Sequence, residues 1–393
     1  MDPSLPPQNQ DNNRVIFGAH DSQKHNSLRR RLLSWSSIKL FFTTRPSKKQ
    51  LMIVGVGGLG ILIAGMLILK YFGPMAPEPD PEPEVVSGYT PPPAKFYSEL
   101  TGLEVEEALS NRPVTSIMIE NSIDARPQSS LSEAGIVFEA IAEGGITRFL
   151  ALYQEAQPAD IGPVRSARPY YVEWAAGFDA GYVHSGGSNE AIALIGALGV
   201  EDMDHGRNSS FFDRVSHRFA PHNVFTSMAR LDQLRESRGF STSSDFEGFA
   251  RYRDGDEKPA GRDGATKIEF DISSFNYNTS YTYDTENNYY PRSMAGTAHV
   301  DNGNGSQVSP NVVVALITTF GKHADGVHSQ YGVLGSGEVY VFQDGTIEKG
   351  TWEKVDKKEP LKFKKTNGEP LKLNPGRTWI TAIQSGDRVT YTP

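Results

Sequence analysis

Residues 51–69 read LMIVGVGGLGILIAGMLIL, 19 residues without a charge. At about 1.5 Å per residue such a run spans about 28 Å, close to the hydrocarbon core of a bilayer. Its glycines are poor helix formers in water but common in membrane helices. The run is flanked by RPSKKQ (Arg45–Gln50) and by PEPDPEPE (Pro77–Glu84). Residues 1–50 carry nine Lys/Arg and three Asp, a balance of +6, whereas residues 71–393 carry 29 bases and 44 acids, a balance of −15. The charge step therefore falls on the apolar run. The positive-inside rule puts the N-terminus in the cytoplasm and the bulk of the chain outside. A cleaved signal peptide fits less well, because the run is long, begins about 50 residues in and lacks an A-x-A site. The expected localisation is the cytoplasmic membrane, single-pass, with the bilayer as a partner through residues 51–69.

An acidic body on a basic head argues against nucleic-acid binding. The sequence has no cysteine, which excludes disulfides, thiol catalysis, thiolate metal sites and a lipid-accepting cysteine. The chain divides into a disordered basic segment (1–50), a transmembrane helix (51–70), a Pro-rich extracytoplasmic linker (71–95), a first domain (96–245), a linker (246–265) and a strand-rich second domain (266–393). Eight prolines in 74–93 make an extended spacer. LLSWSSIKLFF (Leu32–Phe42) mixes basic and aromatic residues and suits the inner membrane surface.

Within the first domain, Ala134–Gln154 reads as two apolar strands joined at Gly144-Gly145, a two-residue hairpin signal. Pro169–Phe178 reads as a helix with proline in its first turn. Ala180–Gly187 reads as a strand running into a loop. Asn189–Gly199 reads as a helix capped by Ser188 and stopped by Gly199, and a last helix is expected over Thr226–Ser237. An unbroken hairpin register sets Glu139 and Glu143 on one face, with Arg148 diagonally between them. This trio is either a cross-strand ion network or a carboxylate pair for acid/base work. Two carboxylates about 13 Å apart along one strand are too far apart for a glycosidase pair unless the side chains converge.

IGPVRSARPY (Ile161–Tyr170) puts Arg165 and Arg168 at a helix start, where the dipole disfavours cations. They need an anion, either internal (Glu139, Glu143 or Glu173) or an external carboxylate or phosphate. VHSGGSNE (Val183–Glu190) is a second Gly-rich turn into a helix, with His184 as a candidate base or donor. It is neither a G-x-S-x-G elbow nor a P-loop. His205, His217 and His222 lack zinc-binding spacing. The DGDE (Asp254–Glu257) and DNGNGS (Asp301–Ser306) segments lack EF-hand spacing and read as solvated loops. No cofactor or metal is expected.

Taken together, RPVTSIMIEN, ARPQSSLSEAGIVFEAIAEGGITRFLALYQ, IGPVRSARPYYVEWAAGFDAGYVHSGGS, APHNVFTS, YTYDTENNYYPRSMAGTAHVD, NVVVALI and GTWEK resemble the YerB-like family of bacterial envelope proteins over roughly residues 96–393. The resemblance implies an α+β ectodomain, with a mixed α/β N-terminal domain and a smaller β-rich C-terminal domain. Family members are typically lipoproteins, and this chain departs from them in having no lipid-accepting cysteine. The resemblance carries no activity. Three functions stay open. The first is binding of an anionic cell-wall or other envelope ligand through Arg148, Arg165 and Arg168, with His184 and Ser188 at the rim. The second is envelope glycan or peptide hydrolysis by Glu139 or Glu143, with His184 as a further candidate. The third is a scaffold for other envelope proteins.

Overall fold

In the computed structural model the described residues are 58–68, 70 and 94–393. Gly144 and Gly145 both adopt positive φ, 58° and 79°, as a two-residue hairpin turn requires. They join the two longest strands of the first domain. These strands are buried on both faces, so they are apolar almost throughout rather than alternating. They lie within an 11-stranded sheet. In chain order its strands are β1 (Thr115–Glu120), β2 (Ile136–Glu143), β3 (Ile146–Tyr153), β4 (Gly181–His184), β5 (Asp202–Asp204), β6 (Asp263–Gly264), β7 (Val312–Ile317), β8 (Gly335–Gln343), β9 (Thr346–Lys354), β10 (Lys362–Lys365) and β11 (Thr378–Ile383). Across the sheet the order is β6-β9-β8-β7-β11-β2-β3-β1-β4-β5, with β10 beside β9.

β11 is the join between the two parts of the body. It runs parallel to β7 on one side, with Val312 opposite Thr378, and parallel to β2 on the other, with Thr378 opposite Ile136. All six of its residues are buried. The mixed α/β part and the β-rich part therefore share one sheet. A separate five-stranded antiparallel sheet is built from Lys267–Phe270, Thr279–Thr282, Arg292–Met294, Thr297–Ala298 and Val389–Thr392.

Three helices of two turns or more pack on the first part: α1 (Pro169–Ala176), α2 (Asn189–Leu198) and α3 (Met228–Arg238). α1 is buried at every position from Tyr170 to Ala176, with Trp174 stacked on Phe138 at 5.0 Å. Ser188 caps α2 by accepting from Ala191 N–H, and Gly199 ends it at φ 66°. α3 begins two residues later than expected, because Thr226 pairs with Ile161 and Ser227 takes the cap.

Buried polar contacts reinforce the join. Glu139 and Arg292, both fully buried, pair at 2.8 Å. Arg251, within segment 246–265, donates to the carbonyls of Leu100 (2.8 Å) and Asn374 (2.7 Å). Burial lowers its pKa to about 9. Asp301 corrects one expectation. It does not sit on a solvated loop but is buried, accepting from Ser130 N–H (2.8 Å) and Ser132 N–H (2.7 Å).

Residues 58–68 and 70 are helical with exposed apolar side chains, among them Leu59, Ile61 and Met66. Among the described residues no helix is long and apolar enough to cross a membrane. The rest of the expected span, the N-terminal segment and the spacer up to residue 93 lie outside the described residues.

Candidate functional site

The β2–β3 hairpin is not in unbroken register. Glu139 lies opposite Phe149, Ala140 opposite Arg148 and Ile141 opposite Thr147, but Glu143 lies opposite Ile146. One extra residue on β2 forms a bulge, and a bulge reverses the face of everything beyond it. Glu139 and Glu143 therefore emerge on opposite sides of the sheet, which overturns their expected place on one face around Arg148.

Glu139 points into the interior. It accepts from Arg292, from Trp379 Nε1 (3.0 Å) and from Thr147 Oγ1 (3.1 Å). A carboxylate sealed this way cannot touch a substrate, so it drops out of any catalytic pair.

Glu143 shares a face with Arg148 and supplies the anion that the arginines need. Arg148 Nη2 donates to one carboxylate oxygen, and Arg168 donates to the other through Nε (3.0 Å) and Nη2. Both arginine side chains are 5% exposed, whereas Glu143 is 29% exposed. Their remaining bonds go to the chain itself, Arg148 to Ser166 O and Arg168 to Ala167 O. Burial works against ionisation of Glu143, but Arg148 and Arg168 outweigh it and hold the carboxyl below its ordinary value. Glu143 is thereby kept deprotonated, which disqualifies it as a general acid at neutral pH.

Arg168 also lines a cleft of about 920 Å³, with Tyr170, Ser188, Asn189, His328 and Tyr331 among its other walls. The starts of α1 and α2 form one side. The other side is a two-stranded ribbon, Phe320–Lys322 paired with Ser329–Tyr331. At the ribbon tip His323 Nε2 lies 3.3 Å from Glu190, and His328 Nδ1 lies 2.6 Å from Asp325. Lys357 pairs with Glu173 at 2.9 Å. Arg168 and Lys357 contribute +2 to the lining, and Glu173, Glu190 and Asp325 contribute −3. The two histidines bring the total to between −1 and +1, depending on protonation. The wall is of mixed sign, not a cationic anion trap.

The other expected residues separate. His184 is fully buried, with Nδ1 2.8 Å from Gly186 O and Nε2 2.9 Å from Asp202. Both ring nitrogens are occupied in closing the β4 turn, so His184 is not a free base or rim donor. The His184 hydrogen bond is also the leading reason that Asp202 sits below the ordinary carboxylate value. Ser188 lines the cleft while capping α2. Arg165 pairs with Glu120 at 3.3 Å rather than with Glu143. The histidines of the metal reading have separate surroundings, His205 near Ser185 (3.2 Å), His217 near the Phe225 ring and His222 on Glu120. Sequence reasoning missed Glu190, His323, Asp325 and His328. A signal was present in HADGVH (His323–His328), where two histidines bracket an Asp-Gly turn.

Comparison with known proteins agrees with this architecture. Residues 100–241 match the family described as protein of unknown function (DUF3048), N-terminal domain, and residues 268–380 match its C-terminal domain. YerB of Bacillus subtilis (strain 168), provisionally named a lipoprotein, is 32% identical over 302 residues, covering 76% of this chain and 89% of that protein. The crystal structure of YerB from Bacillus subtilis superposes with a TM-score of 0.69 at 29% identity, covering 76% of this chain and all of that one. The chain belongs to the YerB-like DUF3048 family, in which it carries both the N-terminal and the C-terminal domain.

Proposed function

We propose that the chain is a membrane-anchored extracytoplasmic binding protein whose cleft takes a polar envelope fragment bearing both ammonium and carboxylate groups, such as a peptide-carrying cell-wall piece. The observation that carries this reading is the mixed-sign lining of the 920 Å³ cleft. A ligand with one sign of charge meets repulsion from part of that wall, whereas a zwitterionic one finds a partner for each group. The anion-binding role expected for Arg148, Arg165 and Arg168 is thereby narrowed at Arg148 and Arg168. Their guanidinium groups are tied to Glu143, and only Arg168 borders the cleft. Anchoring is supported by the apolar run 51–69, by the charge step across it, and by the lipoprotein name given to the relative. In this chain the run takes the place of a lipid-bearing cysteine, with the N-terminus inside.

The test is calorimetric titration of the full chain in nonionic detergent with a disaccharide-peptide wall fragment and, separately, with linear polyphosphate. The fragment is expected to bind, and Glu190→Gln/Asp325→Asn to weaken it by about tenfold, or 1.4 kcal/mol. Binding of polyphosphate alone, or equal affinity in wild type and double variant, overturns the reading. Protease treatment of intact spheroplasts checks the topology, which requires the body to be cleaved and residues 1–50 to be protected.

A further inference from the structure

A second polar centre lies where three chain segments are stitched together. Arg165 N–H donates to Met118 O (2.8 Å), Glu120 N–H to Pro163 O (3.0 Å) and Val164 N–H to Val224 O (2.7 Å). These bonds fix the backbone under Glu120, Arg165 and His222 relative to one another. Glu120 ends β1 and its carboxylate is buried. His222 Nδ1–H donates to its Oε2 at 2.9 Å, and Ser122 Oγ–H donates to its Oε1 at 3.0 Å. Arg165 Nε lies 3.3 Å from Oε1 but without the alignment of a hydrogen bond. The carboxylate is therefore fully engaged, and its role is to hold its neighbours in place.

The uncommitted groups are the Arg165 fork and His222 Nε2. With Nδ1–H given to Glu120, the outward Nε2 of a neutral His222 is an acceptor, whereas a protonated His222 presents a second N–H donor there. Nε2 has no partner among the described residues, and neither do the two terminal nitrogens of Arg165. The two side chains are 21% and 25% exposed, so both can be reached from solvent. A guanidinium fork and an oriented imidazolium around one buried carboxylate form a preorganised donor set, the arrangement that recognises planar or tetrahedral oxyanions.

We infer that Arg165 and His222 form an oxyanion-binding site, for a phosphate or carboxylate group of a ligand, with Glu120 and Ser122 as positioning residues. Neither residue lines the cleft, so the inference stands apart from the function proposed there.

The experiment uses the full chain, labelled in its histidine rings, in nonionic detergent. Imidazole resonances are followed while inorganic phosphate or, separately, acetate is added at constant ionic strength, with chloride as the control. The His222 signals, identified by their loss in His222→Gln, are expected to move to saturation. Arg165→Gln is expected to weaken that response by about tenfold. Saturation by phosphate alone or by acetate alone supports the site and names its ligand group. Signals that stay fixed under both anions, that move equally with chloride, or that respond equally in Arg165→Gln overturn it. If His222→Gln fails to fold, as judged by circular dichroism, Arg165→Lys replaces it. That variant keeps the charge without the fork, and undiminished affinity in it counts against the site.

Discussion

Replacing Glu139 by alanine should cost this protein about 3–5 kcal/mol, because it leaves the fully buried Arg292 guanidinium without its anion. Three interactions end on that carboxylate: Arg292 Nη2 at 2.8 Å, Trp379 Nε1 at 3.0 Å and Thr147 Oγ1 at 3.1 Å. Arg292 also lies over the Trp379 ring at 4.4 Å, a contact too weak to replace an ion pair. Arg292→Met should cost less than Glu139→Ala, since an abandoned carboxyl can take up a proton whereas a guanidinium cannot readily shed one. The double variant Glu139→Leu/Arg292→Met removes both charges and should recover at least about 2 kcal/mol relative to the sum of the single variants. Urea unfolding measures each cost. With a slope of about 3 kcal/mol per molar, a 4 kcal/mol loss moves the midpoint by about 1.3 M. Because the pair ties the 11-stranded sheet to the separate five-stranded one, tryptophan fluorescence and far-ultraviolet dichroism should report one coincident transition. A Glu139→Ala cost below about 1 kcal/mol would refute the reasoning. So would a biphasic transition in which residues up to 241 outlast the rest.

Three further outcomes follow from other buried groups. His299 accepts from Arg292 at Nδ1 and donates from Nε2 to Gln128, and burial followed by the Arg292 charge holds its pKa well below 6.5. Its folded value is depressed, so the unfolded chain binds the extra proton. Stability is complete above about pH 6.5 and falls below it by about 1.4 kcal/mol per pH unit. His299→Gln should flatten that limb of the stability curve, measured by urea midpoints between about pH 7 and 5. Asp301→Ala strips the acceptors from Ser130 and Ser132 N–H and should cost about 2–4 kcal/mol in the same assay. In Gly162→Ala the new methyl would lie 2.7 Å from the Phe225 ring and 2.9 Å from Val224 O. The melting temperature should fall by several degrees, for a cost of about 1–3 kcal/mol.

Features decided by neighbouring residues were legible in the amino-acid order. Gly144-Gly145 turned the hairpin, Ser188 and Gly199 bounded α2, and Pro169 opened α1. The bulge was not legible. Nothing in EAIAE (Glu139–Glu143) marks the extra residue, yet that residue decides which glutamate meets Arg148. The partners of the arginines were likewise settled by tertiary structure. Glu143 was among the anions considered for Arg168, whereas the Glu120–Arg165 contact depends on how Gly162-Pro163 runs beside β1. Asp301 reads as a loop acid in DNGNGS because the amides it binds lie 169 and 171 positions earlier. TWITAI (Thr378–Ile383) reads as an apolar strand, but its place beside Ile136 depends on pairing across more than 240 residues.

That placement gives the molecule a timetable. β11 is the last strand of the 11-stranded sheet in chain order, yet it lies between β7 and β2 rather than at an edge. While the chain is being made, β2 and β7 both wait with one side unpaired, and neither can be closed by material already synthesised. Closure of this kind carries a high loop entropy and is slow. The 11-stranded sheet therefore stays incomplete until β11 is free, and a chain cut short of β11 exposes two open strand edges to aggregation and proteolysis.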